Sequence, residues 1–267
     1  MTCSLIITTY NWPDALEQTL KSVLRQTHIP DEVIIADDGS TDATKALIEK
    51  FSLENPQLNI IHSWQEDEGF RASASRNKAI ARSHCKYIVL VDGDMILEQN
   101  FISDHLKFAK DGYFTQGSRV LVKEAKTKEI FDGKVLKNSW LSCGISNRKN
   151  AIHSNVLSKI FSKKSQSLRG IKTCNFAFFR EDCIRVNGFN EDFIGWGRED
   201  SEFAIRLLNS GIQRQNLRFN AVAFHLYHKE NSRKMLEKND EILQESVDKK
   251  LMWCQNGIDK YLAQTLS

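Results

Sequence analysis

Two aspartates stand one residue apart directly after an apolar segment. The run Asp92-Gly93-Asp94 follows Tyr87 to Val91. Hard divalent cations prefer oxygen ligands, so two such carboxylates can share a cation together with a diphosphate. The pair Asp37-Asp38 follows the apolar segment Val33 to Ala36 in the same way. The alternative for both is a solvated acidic turn, which can cap the helix that follows it.

Other polar clusters offer further chemistry. Arg71 and Lys78 could neutralise phosphate charge, and Asn77 can hydrogen-bond a base or a ribose. Basic residues along a helix are more often simply solvated, which is the alternative here. His225 and His228 follow a strand-like segment, and one of them could complete a cation site begun by a carboxylate, because imidazole suits manganese-like ions. A structural histidine is the competing interpretation.

An aromatic residue between glycines precedes a second carboxylate pair. Trp196 lies between Gly195 and Gly197, and Glu199-Asp200 follow closely. An indole can cover the apolar face of a pyranose, while carboxylates accept hydrogen bonds from its hydroxyl groups. This pattern is typical of a sugar site. The alternative is an acidic pair that opens a helix and is stabilised by its dipole.

The elements that must position these residues alternate between strand and helix. Short apolar segments predict strands at Leu5 to Ile7, Val33 to Ala36, Leu58 to Ile61 and Tyr87 to Val91, with helical spacing between them. Continuously apolar strands separated by helices indicate a parallel sheet covered on both faces. Ligands of such sheets lie at the carboxyl ends of the strands, where the acidic clusters fall. Further on, a helix over 199–209, a strand over 221–224 and a helical tail after 231 are predicted.

Composition limits the class of protein. The chain has 267 residues, of which 41% are hydrophobic and 27% charged, as in ordinary soluble domains. The formal net charge of +3 is too small to indicate nucleic acid. Apolar runs are far shorter than a membrane span, and no secretory signal is apparent. Six cysteines without a C-x-x-C pair argue against a zinc ribbon or a disulfide framework, and favour a cytoplasmic protein.

The middle of the chain is strongly basic. Between Asp132 and Glu181 there is no acidic residue, but there are ten lysines and arginines. Weak periodicity over about 133–172 predicts a mobile segment rather than a second domain. Its charge could face an anionic membrane, a lipid diphosphate or an acidic polysaccharide acceptor. The alternative is a solvated loop that becomes ordered over a bound donor.

Several motifs in order resemble a known family. The segments Ser4 to Asn11, Val33 to Asp42 and Val91 to Asp94 resemble the signature of family-2 glycosyltransferases of the GT-A type. The segment Gly188 to Asp200 resembles the C-terminal motif of β-1,4-galactosyltransferases and chondroitin-polymerase-type enzymes. The resemblance implies an α/β, Rossmann-like GT-A fold with a mostly parallel sheet covered by helices. Residues 1–230 would form one catalytic domain, with a nucleotide-sugar half at 1–100 and an acceptor half at 101–230. Residues 231–267 would be a helical tail.

The resemblance also assigns roles on the donor side, where a UDP-sugar would bind. Thr8 and Tyr10 match residues that hold the uridine, Tyr10 by stacking. Asp38 matches a residue that accepts a hydrogen bond from the uracil N–H. Arg71 and Asn77 match the helix that borders the nucleotide.

The metal and acceptor residues follow from the same resemblance. Asp92 and Asp94 match the DxD pair, with Asp94 as the direct ligand of Mn²⁺ or Mg²⁺. His225 is the first choice for the histidine that completes this site, and His228 the second. In the C-terminal motif, Glu199 and Asp200 match the acceptor-binding pair, beside Trp196, and Asp200 matches the catalytic base.

These residues together predict an inverting, metal-assisted single displacement onto a saccharide or glycolipid hydroxyl, in surface polysaccharide, lipopolysaccharide or glycan synthesis. The protein would be cytoplasmic or peripheral at the inner face of an anionic membrane, without a nucleic-acid partner. Two alternatives stay open. A sugar nucleotidyltransferase usually has a glycine-rich loop after the first strand, where this chain has Thr8 to Asn11. A catalytically silent carbohydrate-binding protein of the same fold is the other.

Overall fold

The computed structural model describes residues 1–134, 136, 140–229 and 233–262. The strands are β1 (Cys3–Thr9), β2 (Glu32–Asp37), β3 (Ile60–Trp64), β4 (Tyr87–Asp92), β5 (Met95–Leu97), β6 (Tyr113–Gln116), β7 (Val120–Val122), β8 (Ile145–Ser146), β9 (Lys163–Ser165), β10 (Phe176–Phe179), β11 (Gln213–Asn216) and β12 (Ala223–His225). The helices are α1 (Pro13–Val23), α2 (Asp42–Glu54), α3 (Ala72–Arg82), α4 (Phe101–Phe108), α5 (Glu124–Phe131), α6 (Asn155–Phe161), α7 (Arg180–Arg185), α8 (Glu199–Asn209), α9 (Leu236–Asp248) and α10 (Asp259–Leu262).

The first half of the chain forms the parallel part of a large sheet. Among the described residues this sheet has eight strands, in the order β3-β2-β1-β4-β10-β6-β11-β9. The pairs β3–β2, β2–β1 and β1–β4 are parallel, as the apolar segments predict. The third strand begins at Ile60 rather than at Leu58, because the preceding residues form a turn in which the Leu58 N–H bonds the Asn55 carbonyl.

Hydrophobic cores cover both faces of this sheet. Leu5 and Ile7 of β1 pack on one side with α1 and α2, while Ile6 between them packs on the other side with α3 and α8. This alternation follows from the geometry of a strand, in which successive side chains point to opposite faces. The apolar character of every residue in such a strand is thereby explained, and the prediction of a doubly covered sheet is confirmed.

The second half of the sheet is mixed. Strand β10 runs antiparallel to both β4 and β6, whereas β11 is parallel to β6. A smaller sheet with the order β5-β12-β7-β8 lies beside it. Among the described strands, four of the seven pairs in the large sheet are parallel, which agrees with the expectation of a mostly parallel sheet, and its antiparallel pairs all involve β9 or β10.

The basic segment 133–172 contains more regular structure than its sequence predicts. It includes β8, a short 3₁₀ turn at Arg148–Ala151, α6 and β9, which forms the edge of the large sheet next to β11. The Ser154 hydroxyl accepts a hydrogen bond from the Leu157 N–H and so caps α6. Weak periodicity therefore does not exclude short helices and strands here, and the mobility of the segment stays a prediction. Lys137, one of its basic residues, lies outside the described residues.

The tail packs on the rest of the chain over its described part. Helix α9 lies against α8, and α10 lies against α3. Ile258 belongs to the same core as α3 and α8. The Asn187 side chain fixes the connection between α9 and α10. Its Nδ2 donates to the Cys254 carbonyl at 2.8 Å, and its Oδ1 accepts from the Asp259 N–H at 2.9 Å. The helix predicted after 231 is thus present from Leu236.

None of the described helices is long and apolar enough to cross a membrane.

Candidate active site

The strand ends bring the predicted acidic clusters to one edge of the sheet. In register, Thr8 of β1 lies beside Asp92 of β4, and Thr9 lies beside Asp37 of β2. The Gly93 N–H bonds the Thr8 carbonyl at 2.7 Å. A Cβ atom at Gly93 would stand 3.1 Å from that oxygen, closer than a side chain normally packs. This close approach explains the glycine between the two aspartates.

Asp94 and both histidines form one cluster. The Nε2 atoms of His225 and His228 each lie 3.4 Å from Asp94 Oδ2. The register of β12 against β5 brings this about, because His225 pairs with Met95 next to Asp94. The sequence offered His225 as first choice and His228 as second, and the structure brings both to the carboxylate.

The donor set of this cluster fits a divalent cation. One ligand atom from each of the three residues lies within 4.8 Å of the others. Asp94 Oδ1 is buried and has no hydrogen-bond partner among the described residues. Burial, followed by the charge of Asp92, raises the pKa of Asp94 well above its ordinary value. Burial lowers the pKa of His225 to about 3, and the charge of Arg119 adds to this, so the imidazole is neutral and able to ligate. A bound cation would compensate the buried carboxylate.

Arg76 joins this cluster to the second carboxylate pair. The guanidinium is almost fully buried and lies 3.7 Å from Asp92 Oδ1 and 3.2 Å from Glu199 Oε1. Its Nε donates to Thr8 Oγ1 at 3.3 Å. Although burial opposes the charge, the carboxylates of Glu199, Asp92 and Asp200 together raise the pKa of Arg76. The DxD segment and the segment after Trp196 therefore meet around one permanent positive charge.

Glu199 and Asp200 open helix α8, as predicted. Glu199 Oε2 is buried without a partner among the described residues, so it can accept a hydrogen bond from a ligand hydroxyl. Asp200 Oδ1 accepts from the N–H of Ser201 at 2.8 Å. Burial, with the charge of Glu199 next, raises the pKa of Asp200 to about 7. A carboxyl with that pKa can take and release a proton near neutral pH.

The loop before α8 is held in place by the tail helix. Asn239 of α9 is fully buried, and its Nδ2 donates to the Gly197 carbonyl at 2.9 Å. Arg198, which has a φ of +79°, forms an ion pair with Asp240 of the same helix. Trp196 stays 37% exposed on this loop. Its exposed indole is consistent with a sugar-stacking role.

Tyr10 and Asp38 lie at the ends of β1 and β2. The Tyr10 ring is 50% exposed, and its hydroxyl donates to Asp67 Oδ2 at 2.9 Å. Asp38 is buried, and it accepts from Gln65 Nε2 at 2.6 Å and from the Arg71 N–H at 2.9 Å. Burial raises the pKa of Asp38 to about 6, although these two hydrogen bonds favour the ionised form.

Arg71 and Asn77 lie in different surroundings: Arg71 borders a cavity, whereas Asn77 is buried. Arg71 lines a cavity of about 490 Å³ together with Lys78 and Tyr261. Asn77 is fully buried, and its amide bonds the backbone of Phe189 and the carboxylate of Glu191. Asn77 therefore fixes the loop after α7, and the structure does not bring its side chain to the cluster of strand-end residues.

Sequence reasoning missed the contribution of three cations. Arg76 was visible in a basic helix, but its role depends on a partner 123 positions away. Burial raises the pKa of Asp92 and of Asp200, and the charges of Arg119 and Lys172 respectively oppose these two shifts, so both charges act on the site. The sequence signals Lys172 only through the excess of basic residues after Asp132, and it gives no signal for Arg119.

The fold is that of a glycosyltransferase of the GT-A type. A family model described as "Glycosyl transferase family 2" matches residues 4–182, more than half of the chain. The chain belongs to this family, which confirms the assignment made from its motifs. A second model, described as "N-terminal domain of galactosyltransferase", matches residues 156–229, which include the Trp196 loop and both histidines.

Two relatives synthesise polysaccharides according to their names. Chondroitin synthase of Escherichia coli is 27% identical over 245 residues, covering 83% of this chain and 34% of that protein. Hyaluronan synthase of Pasteurella multocida is 30% identical over 224 residues, covering 78% of this chain and 23% of that protein. The chain thus spans about a quarter to a third of the length of these curated relatives.

Two solved structures share the fold. The complex of S. aureus TarS 1–349 with UDP matches with a TM-score of 0.63 and 17% identity, over 100% of this chain and 71% of that one. GalNAc-T7 with UDP, GalNAc and Mn²⁺ matches with a TM-score of 0.61 and 17% identity, over 86% of this chain and 44% of that one. At these identities the likeness concerns the fold.

Proposed function

We propose that this protein transfers a sugar from a UDP-sugar to a hydroxyl group of a saccharide acceptor, with inversion at the anomeric carbon. The observation that carries this proposal is the position of Arg76, which contacts Asp92 on the donor side and Glu199 on the acceptor side. Donor and acceptor residues thereby share one compact site. Family membership and the UDP in the TarS complex support the choice of donor.

Asp94, His225 and His228 would hold Mn²⁺ or Mg²⁺. The buried Asp94 Oδ1 without a partner and the neutral His225 support this, and GalNAc-T7 is described with Mn²⁺. Bound there, a divalent cation would neutralise charge on the diphosphate of the leaving UDP. Asp92 would contact the donor from the same strand end, with Arg76 behind it.

The nucleotide would lie across the ends of β1 and β2. Tyr10 would stack on the uracil, Thr8 would contact the uridine, and Asp38 would accept the uracil N–H, since each carboxylate oxygen can accept a further hydrogen bond. Arg71 would border the nucleotide from its cavity. Asn77 would support this region indirectly, by fixing the loop that contains Phe189.

Asp200 would act as the catalytic base. It accepts the proton of the acceptor hydroxyl while the hydroxyl oxygen bonds to the anomeric carbon and the bond from that carbon to the β-phosphate oxygen breaks. The raised pKa of Asp200 suits this step. Glu199 and Trp196 would hold the acceptor sugar, so that proximity and orientation contribute to the rate. This displacement needs no covalent enzyme intermediate.

The acceptor would be a growing saccharide, free or attached to lipid, in polysaccharide synthesis. The names of the two relatives support this class of product. A glycolipid acceptor would also place the enzyme at an anionic membrane, and the basic segment 133–172 supports peripheral association.

The proposal is tested by incubating the protein with a panel of UDP-sugars and Mn²⁺ or Mg²⁺, and measuring UDP released by slow hydrolysis. With an acceptor present, NMR of the product should show an anomeric configuration opposite to that of the donor. A sugar nucleotidyltransferase would instead release pyrophosphate from a nucleoside triphosphate and a sugar phosphate. A silent binding protein would release nothing, and a product with retained configuration would rule out the single displacement.

A further inference from the structure

A basic cavity of about 500 Å³ lies next to the candidate active site. It is built from the connection between β6 and β7, the segment 161–174 and strand β11. Five cationic side chains line it, and its lining includes no carboxylate: Arg119, Lys163, Lys172, Arg214 and Arg218. Such a concentration of one sign of charge is costly unless an anion compensates it.

None of the residues that line the cavity supplies that anion, although the charge of Arg119 also acts on Asp92 and Asp94. Across residues 1–134, 136, 140–229 and 233–262, none of the five cations forms an ion pair with an acidic side chain. Arg214 is the clearest case, since it is only 5% exposed. Its Nη1 donates to the carbonyls of Ser167 and Arg169, but its buried Nε has no partner among these residues. Burying a guanidinium without a counter-charge is unfavourable, so this position points to an anionic ligand.

The cavity adjoins the catalytic residues through the small sheet. Leu121, which lines the cavity, is the strand neighbour of His225 in the β7–β12 pair. Arg119 lies two residues before Leu121, and its Nη1 donates to the Sγ atom of Cys174, another lining residue, at 3.6 Å. Lys172 also lines the cavity, and its charge partly opposes the rise that burial causes in the pKa of Asp200. An anion in the cavity would therefore lie close to the strand that contains His225 and to Lys172, whose charge acts on the proposed base.

We propose that the acceptor saccharide is anionic, and that this cavity binds its carboxylate or phosphate group while the hydroxyl to be glycosylated faces Asp200. This inference rests on the proposed transfer to a saccharide hydroxyl. Guanidinium and ammonium groups form charge-assisted hydrogen bonds with both kinds of anion.

The acceptor fits the cavity better than the donor does, because the residues that line the cavity come from the second half of the nucleotide-sugar and acceptor domain. The residues proposed to contact the nucleotide lie at the ends of β1, β2 and β4, in the first hundred residues, and the metal ligands His225 and His228 are outside the cavity lining. The cavity consists of residues between Gln116 and Arg218. This is the half of the chain that also contains the proposed base and the sugar-stacking Trp196.

The test uses three disaccharide methyl glycosides that differ only at C6 of the terminal sugar: glucuronic acid, glucose and glucose 6-phosphate. Their dissociation constants are measured by calorimetry on the full chain saturated with UDP and Mn²⁺. We expect the carboxylate or the phosphate compound to bind about 10-fold or more tightly than the neutral one, the range for one charged hydrogen bond. Which of the two binds better identifies the source of the anion.

Matched variants locate the effect. Lys163→Gln/Lys172→Gln should abolish the preference by weakening binding of the anionic compound alone, whereas Lys159→Gln, a basic residue of α6 outside the cavity lining, should preserve it. Equal affinities for the three compounds, no measurable binding of the anionic ones, or a preference that survives the double substitution would each overturn the inference. A preference for UDP-glucuronic acid over UDP-glucose with equal acceptors would assign the cavity to the donor and also overturn it. Hydrolysis of UDP-sugars without acceptor reports on the proposed function separately.

Discussion

At the scale of single residues, the ionised form of the buried Asp94 carboxyl is unfavourable unless a cation compensates its charge. One oxygen has no partner among the described residues, and burial raises its pKa. Asp94→Ala should therefore abolish transfer and remove the metal-dependent part of UDP binding, without lowering the melting temperature. Calorimetry of UDP with and without Mn²⁺, alongside thermal unfolding, measures both effects. If the parent protein bound UDP equally well with and without a divalent ion, the proposed metal role would be wrong.

Asp200 is the residue that distinguishes a transferase site from a helix cap. Asp200→Asn keeps the shape of the side chain but cannot take the acceptor proton, so kcat should fall by about 10²-fold or more, the scale of a general base. UDP binding should change little, because Asp200 is neither one of the residues proposed to contact the nucleotide nor a proposed metal ligand. Glu199→Gln should mainly raise the KM for the acceptor. Near-parental turnover of the Asp200→Asn enzyme at saturating substrates would contradict the assignment, since a residue that only caps α8 tolerates asparagine.

The raised pKa of Asp200 also predicts the pH dependence. A base must be ionised, so a pKa of about 7 means that the rate of transfer falls as the pH drops through about 7, by about tenfold per pH unit. The charge of Glu199 contributes to this pKa, and Glu199→Gln should shift the acid limb to lower pH. A profile of kcat/KM over about pH 5 to 9 with saturating metal measures both. An acid limb at the same pH in the two enzymes would show that Glu199 does not act on Asp200.

The residues that could be predicted from sequence are those whose neighbours in the chain give the signal. Asp92 and Asp94 end an apolar strand, and Glu199 and Asp200 follow a glycine-flanked tryptophan, so both pairs are visible locally. Arg76 and Arg119 gain their roles from the carboxylates they face in the folded chain. Sequence spacing has no information on such distant contacts, and an arginine on a helix or in a loop is usually solvated.

At the scale of elements, helix α8 is fixed by a buried ion pair. Arg206 and Glu202 are both essentially inaccessible, with Nε 2.8 Å from Oε1, and Arg206 also donates to the carbonyls of Val186 and Gly188. Removing one partner leaves a buried charge, so Arg206→Met should lower the free energy of unfolding by about 3–5 kcal/mol in urea titrations. The double variant Glu202→Met/Arg206→Met should recover part of that loss.

An exposed pair with the same spacing is the control. Lys50 lies 3.8 Å from Glu54 on α2, and both side chains are mostly exposed. Lys50→Met should change the free energy of unfolding by less than about 0.5 kcal/mol. A similar small loss for Arg206→Met would mean that the buried pair does not hold the helix.

The sequence predicts those strands whose residues are apolar because they are buried. The strands β1, β2 and β4 are apolar throughout because both of their faces are covered. Strands β9 and β11 have the sequences Lys163–Ser165 and Gln213–Asn216, without an apolar residue. Backbone hydrogen bonds hold both at this end of the sheet, where β11 pairs with β6 and β9 forms the edge. Polar side chains suit the edge strand, because solvent borders it on one side. Such strands have no hydrophobic period, so the sequence predicts a loop in their place.

At the scale of the whole molecule, the tail belongs to the site as well as to the fold. Asn239 and Asp240 of α9 hold the loop with Trp196 and Arg198, although their part of the sequence shows only a charged helix. Residues 231–267 were predicted as a helical tail after a domain over 1–230. In the described part of that tail, α9 packs on α8 and α10 on α3, so the tail also positions the loop that contains Trp196.

Helix α6 and the residues up to Arg169 form a surface with both basic and exposed apolar side chains. Val156 and Ile160 are 68% and 60% exposed on α6, and Lys159 lies between them in the chain. Exposed apolar residues next to lysines and arginines are typical of helices that lie on anionic membranes. The combined variant with glutamine at Lys159, Lys163, Lys164 and Arg169 should therefore pellet much less with vesicles containing phosphatidylserine, since each such charge contributes about 1 kcal/mol near the surface. A control with glutamine at Lys45, Lys50, Lys128 and Lys249 changes the net charge equally, but these residues lie on α2, on α5 and just after α9, so it should pellet as the parent does. Unchanged pelleting of the first variant at low salt would rule out membrane association through this surface.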